Sequence, residues 1–196
     1  VGAIYNTKPG AQDALIAAFA KAYGEVGFAY ITNHGIDPEL RRRVFQASEA
    51  FHALPVADKM AVELNHNHRG YIPINTSTDV NSKLAKVTKP NQSASFMLMR
   101  DDTTEDPAVY LSGPNQWPDK GSFRTDCEAY MAALSDLSKR MMKIALRAAG
   151  ADTLDFMAAF DTPTTWLRLL HYPPQLGSVE GLFGSAPHTD FGCLTI

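Results

Sequence analysis

The chain has 196 residues, 45% of them hydrophobic, and 18 Lys and Arg against 21 Asp and Glu give a formal charge of -3. That length and apolar content allow one sizeable core and one domain, and they exclude an intrinsically disordered chain. A slightly acidic balance without a clustered basic patch leaves no electrostatic footprint for nucleic acid, and no apolar run approaches the roughly 18 residues of a membrane span.

Residues 11–26 carry Leu15, Ala18, Phe19, Ala22 and Val26 at helical spacing, with Lys21 and Glu25 on the other side. A short buried strand is expected over 28–31, then a turn at Asn33-His34-Gly35. Asp37 and Pro38 have the chemistry of an N-cap and a first helical residue, opening a helix that Pro55 stops. Arg41-Arg42-Arg43 falls inside that helix and reads as a solvated face. His34 sits in the turn and His52 near the helix end, so both are assigned structural roles.

The pattern is irregular over 65–118. Strands are expected over 70–74 and 93–99; in the second, Ser93, Ser95, Met97 and Met99 share one face while Ala94, Phe96 and Leu98 share the other. Residues 123–149 form the longest periodic segment, a scaffold helix, and Asp152 is placed to cap a shorter one. Strand character returns over 164–172, with Arg168, Leu170 and Tyr172 on one face and Leu167, Leu169 and His171 on the other. A Gly- and Ser-rich loop follows Pro173-Pro174. Residues 192–196 read as the start of a β-branched strand.

His188 and Asp190, two apart, project from one face of extended backbone and can reach one metal ion. An imidazole and a carboxylate are two of the three donors of the facial triad that holds iron(II) with positions left open. A bare H-x-D triplet recurs by chance, and zinc in a hydrolase is the rival use of the same pair. Pro187 before it and the strand signal after it set the pair where a loop enters a sheet. Cys127 and Cys193 cannot make a disulfide framework and read as reduced, buried thiols of a cytoplasmic protein. Because the chain opens at Val1 and stops inside an expected strand, we expect a fragment, a split protein or an incompletely observed chain.

Several stretches in order resemble the isopenicillin N synthase-like family of non-haem iron(II), 2-oxoglutarate-dependent oxygenases. They are residues 22–28 leading into Asn33-His34-Gly35-Ile36, then 51–55 with Asp58-Lys59, Arg69-Gly70-Tyr71, 167–174, and His188-Thr189-Asp190-Phe191-Gly192 with Leu194-Thr195-Ile196. The resemblance implies an α+β fold with a double-stranded β-helix, or jelly-roll, core, here truncated. Residues 1–118 would form its N-terminal helical and irregular region, and 119–196 the scaffold helix and first part of the core. It implies iron ligation by His188 and Asp190, with Tyr172 and Arg168 beside the 2-oxoglutarate carboxylates.

The cofactors implied are Fe(II), 2-oxoglutarate and dioxygen, the products succinate and carbon dioxide, and the partner a small organic substrate that is hydroxylated, desaturated or cyclised. Candidate substrate walls are Tyr71, Met97, Met99, Phe183 and Phe191, each as readily ordinary packing. The family's second ligand His and its Arg-x-Ser or Arg-x-Thr clamp fall beyond Ile196, and His171 is a poor substitute because alternation turns it away. Alternatives are an oxidase of the same family that needs no 2-oxoglutarate, and a non-catalytic scaffold lacking the third ligand.

Overall fold

In chain order, the computed structural model has a 3-10 turn (Gly2–Tyr5), α1 (Asp13–Lys21) continued by a π turn (Ala22–Val26), α2 (Pro38–His52), α3 (Val56–Met60), β1 (Gly70–Ile72), β2 (Ala94–Met99), α4 (Phe123–Ala148), α5 (Thr153–Ala158) and β3 (Trp166–His171). The structure describes residues 1–78, 87–151, 153–175, 177, 179–190 and 192–196, so Asp152, the expected cap of α5, lies outside the described residues. Mixed helix and sheet make this an α+β protein, as the sequence led us to expect. The chain divides into two compact units: Val1–Arg41 with Glu128–Pro163 and Gly192–Ile196, and Arg42–Cys127 with Thr164–Phe191.

The first unit is built on helical stripes. Phe19 of α1 and Leu137, Met141 and Ile144 of α4 are buried together with Ile4, and Leu15, Ile16, Tyr23, Leu134 and Leu194 pack against them. Phe19 and Tyr23, one turn apart, stack at 4.2 Å between ring centroids. The π turn ends where Gly27 donates its N–H to the Ala22 carbonyl at 2.9 Å, with φ of 86°, a left-handed cap that glycine takes without strain.

Two expected strands do not form in this unit. Residues 28–31 and 192–196 have no ladder partner among the described residues. Without one, Phe28 and Tyr30 stand 84% and 104% exposed rather than buried. A strand exists only through its pairing, which local pattern cannot supply. Cys193 is likewise exposed, against the expectation of a buried thiol, while Cys127 is fully buried.

The second unit holds an antiparallel sheet of order β1-β2-β3. Register sets Tyr71 opposite Phe96 and Phe96 opposite Leu169, so these side chains share one face. Phe51 of α2 lies on that face, 4.7 Å from Phe96, 5.8 Å from Tyr71 and 5.5 Å from Phe123 between centroids. Asp37 Oδ1 accepts the Glu39 N–H at 2.9 Å as the expected cap of α2, and Lys59 Nζ donates to the His52 carbonyl at its far end.

His52 follows Phe51 into this core. Its Nε2 lies 3.1 Å from the Leu169 carbonyl, and its ring stacks on His171 at 5.0 Å. Burial holds the His52 imidazole below its ordinary range; the Leu169 bond opposes this, and His171 and Lys59 reinforce it. The unfolded chain therefore takes up this proton more readily than the folded one, so stability is complete above about pH 6.5 and is lost as the pH falls. Urea midpoints should drop on going from about pH 7.5 to 5.5, and drop less in His52→Gln, whose amide can still donate to Leu169. An unchanged slope in the variant would remove His52 from the account.

Arg69 and Gly70 tie β1 to the loop before α4. The Arg69 side chain is 1% exposed and donates to the carbonyls of Asn67, Leu111 and Arg100. Gly70 has φ of 119°, and a Cβ there would lie 2.4 Å from the Val62 carbonyl oxygen. No other residue type fits that approach.

Candidate metal centre

The loop after β3 is pinned to the segment that leads into β2. Gln92 donates its N–H to the Phe183 carbonyl at 2.8 Å, Asn91 Oδ1 accepts the Ala186 N–H at 3.0 Å, and Lys89 Nζ reaches the Glu180 carbonyl at 3.1 Å. A Cβ on Gly184 would meet Tyr172 Cδ1 at 3.0 Å, so the missing side chain lets the tyrosine ring lie against the loop. Ala186 is 1% exposed at the centre of these contacts.

His188 and Asp190 follow directly. The His188 Nδ1 lies 2.7 Å from the Ala186 carbonyl oxygen. A carbonyl only accepts, so Nδ1 carries the hydrogen and, in the neutral ring, Nε2 bears the lone pair. That Nε2 stands 3.2 Å from Asp190 Oδ1. Two electron-rich atoms this close need a cation between them, and either a proton or a metal ion meets the need. The two side chains are 43% and 55% exposed, and an ion pair so exposed contributes at most about 1 kcal/mol. Folding stability therefore gives little reason for the arrangement. Among the described residues no ladder runs through 188–190, yet the two side chains converge.

A neutral imidazole nitrogen and a carboxylate oxygen suit iron(II), so the residues present fit part of such a site. Among the described residues, no group of three His, Cys, Asp or Glu side chains is placed to hold a metal ion. The remaining candidates divide by face. Arg168 pairs with Met97 across β2 and β3, and its Nε donates to Ser95 Oγ at 3.0 Å. Tyr172 lies just past β3, 49% exposed. Met99 shares the Arg168 face and is 2% exposed, whereas Tyr71 is 5% exposed on the opposite face with Phe96. His171 is stacked on His52 on that opposite face, and Phe191 lies outside the described residues. A groove of about 500 Å³ along α2 and the start of α4 is lined by Arg42, Ala47, Phe51, Leu54, Lys120 and Phe123; none of His188, Asp190, Arg168 or Tyr172 borders it.

Sequence reasoning missed Asn91 and Ala186. Their only signal would have been a buried amide beside Pro90, which in sequence looks like any turn residue.

The 2-oxoglutarate-dependent dioxygenase caaD of Aspergillus niger is 32% identical over 195 residues, 97% of this chain and 59% of that protein. The 2-oxoglutarate-Fe(II) type oxidoreductase hxnY of Emericella nidulans is 31% identical over 98% of this chain and 57% of its own length. In fold, the chain matches the crystal structure of full-length Neurospora crassa T7H in complex with alpha-KG with a TM-score of 0.70 at 24% identity, over 87% of this chain and 52% of that one. The chain thus spans less than two thirds of each of these relatives.

The chain belongs to the family described as non-haem dioxygenase in morphine synthesis N-terminal, whose model matches residues 3–120. Among the described residues, no helix is long and apolar enough to cross a membrane.

Proposed function

We propose that His188 and Asp190 are two protein ligands of an iron(II) centre in a 2-oxoglutarate-dependent dioxygenase acting on a small organic substrate. In this reading residues 119–196 carry the scaffold helix and the first part of a jelly-roll core, which residues 1–118 brace. The supporting observation is the convergence of His188 Nε2 and Asp190 Oδ1 at 3.2 Å, with the imidazole proton held away on Nδ1. The names of the relatives support the dioxygenase part of this reading. Two free cysteines suit a reducing compartment, and we take that to be the cytoplasm.

When bound, iron(II) with 2-oxoglutarate and dioxygen supplies the oxidising chemistry, with succinate and carbon dioxide as products. The chain's own groups bind and orient. The Ala186 carbonyl keeps the proton on Nδ1, so Nε2 is offered as a donor beside Asp190. Arg168, steadied by Ser95, presents a cation to a carboxylate, and Tyr172 brings a phenol against the same loop.

The test uses the polypeptide that carries this chain, loaded anaerobically with iron(II) and 2-oxoglutarate and then opened to air. Succinate should form in proportion to dioxygen consumed. Its absence from folded, iron-loaded protein would overturn this reading and leave the oxidase that needs no 2-oxoglutarate, if dioxygen is still consumed with substrate, or the non-catalytic scaffold, if it is not.

A further inference from the structure

The buried amide of Asn91 has no part in the function proposed above, yet a continuous set of bonds runs from it to the His188 ring. Asn91 is 6% exposed, and its backbone is fixed on its own side: its N–H donates to the Ser77 carbonyl at 2.8 Å and its carbonyl accepts from Asn75 at 3.4 Å. From that footing Oδ1 takes the Ala186 N–H at 3.0 Å, and the Ala186 carbonyl takes the His188 Nδ1 hydrogen at 2.7 Å. The two bonds use the two ends of one residue. With Ala186 buried and its N–H held, its φ and ψ fix where its carbonyl points, and that direction fixes the imidazole.

We infer that Asn91 is a positioning residue for His188: through Ala186 it locks the tautomer that frees Nε2 toward Asp190. The inference rests on the reading that His188 binds a metal. A side chain that merely filled space here would not need an acceptor atom. The loop has a second anchor that a side-chain change at 91 does not remove, the backbone bond from Gln92 to the Phe183 carbonyl. Loss of the Asn91 acceptor should therefore leave the loop docked and release only the Ala186 peptide. Which ring nitrogen carries the proton is commonly set by such a bond, and removing a partner of this kind costs a metal site about 10- to 100-fold in affinity.

Three forms of the chain separate positioning from packing: wild type, Asn91→Leu, which keeps the volume without the acceptor, and Asn91→Asp, which keeps an acceptor oxygen. Nitrogen-15 spectra of the imidazoles, recorded above their titration range and assigned by the signal missing in His188→Gln, read the His188 tautomer. Cobalt(II) titration reads metal affinity.

Wild type should show the Nδ1–H form. Asn91→Leu should mix in the Nε2–H form and bind cobalt(II) about tenfold more weakly, and Asn91→Asp should behave as wild type. An Nε2–H imidazole in wild type would overturn the proposal, and this result does not depend on any Asn91 variant folding. So would an Asn91→Leu chain that keeps both tautomer and affinity, or a folded Asn91→Asp chain no better than Asn91→Leu. Equal cobalt(II) binding by wild type and His188→Ala would instead sink the metal reading, leaving the tautomer to speak for Asn91 alone.

Discussion

His188→Ala should weaken divalent-metal binding by more than about 100-fold and remove iron-dependent turnover, while the melting temperature stays within about 2 °C of wild type. The separation of the two effects is what the geometry predicts. The side chain is 43% exposed, with its Nδ1 2.7 Å from the Ala186 carbonyl and its Nε2 3.2 Å from Asp190, so its removal disturbs little packing. Metal binding loses one of two adjacent donors, beyond what loss of an outer partner costs. Asp190→Ala should match it, and its carboxylate is 55% exposed. Calorimetric titration with iron(II) under nitrogen, beside a thermal melt, checks both. Retained turnover in either variant would remove the ligand assignment.

Arg69→Leu should destabilise the chain by about 3–5 kcal/mol, read as a shift of the urea midpoint at constant slope. The guanidinium is buried and satisfies carbonyls from Asn67, Leu111 and Arg100. Leucine leaves those acceptors dry, and hydrogen bonds from a charged group are worth about 1.5–3 kcal/mol each before relaxation. Burial pulls the Arg69 pKa down from its ordinary value, while Asp102 and Asp101 pull the other way and offset part of the cost of the buried charge. Arg69→Lys should recover less than half of the loss, because one ammonium cannot span acceptors that a planar fork reaches together. A loss under about 1 kcal/mol in Arg69→Leu would mean that water reaches these carbonyls.

The helices were legible because a 3.6-residue period is local. α1, α2 and α4 lie within the predicted ranges, and the expected cap at Asp37 is in place. Strands were legible only where a partner is at hand: β1 and β3 each pair with β2, while 28–31 and 192–196 carry strand-like sequence and have no ladder among the described residues. Register is the harder quantity. Tyr71 is grouped with Met97 and Met99 as a candidate substrate wall, yet pairing sets it opposite Phe96, on the other face of the sheet from the two methionines.

At the candidate site, the convergence of His188 and Asp190 follows from a two-residue spacing and could be read directly. What holds them could not. Asn91 stands in a proline-flanked turn like many others, and only the fold brings it to Ala186. Asn115 is a parallel case: it lies in the irregular stretch over 65–118, yet it exchanges two bonds with Met99, its Oδ1 accepting at 2.9 Å and its Nδ2 donating at 2.8 Å, and so extends the ladder with a side chain. Polar residues that act across large sequence separations leave no periodic trace.

The most direct measurement is an anomalous-difference map at the iron edge, from crystals of the polypeptide loaded with iron(II) without oxygen. One peak should lie about 2.0–2.2 Å from both His188 Nε2 and Asp190 Oδ1, the range of nitrogen and oxygen donors to a divalent metal. A peak within reach of only one of the two, or iron bound elsewhere with this pair still joined by a proton, would contradict the account.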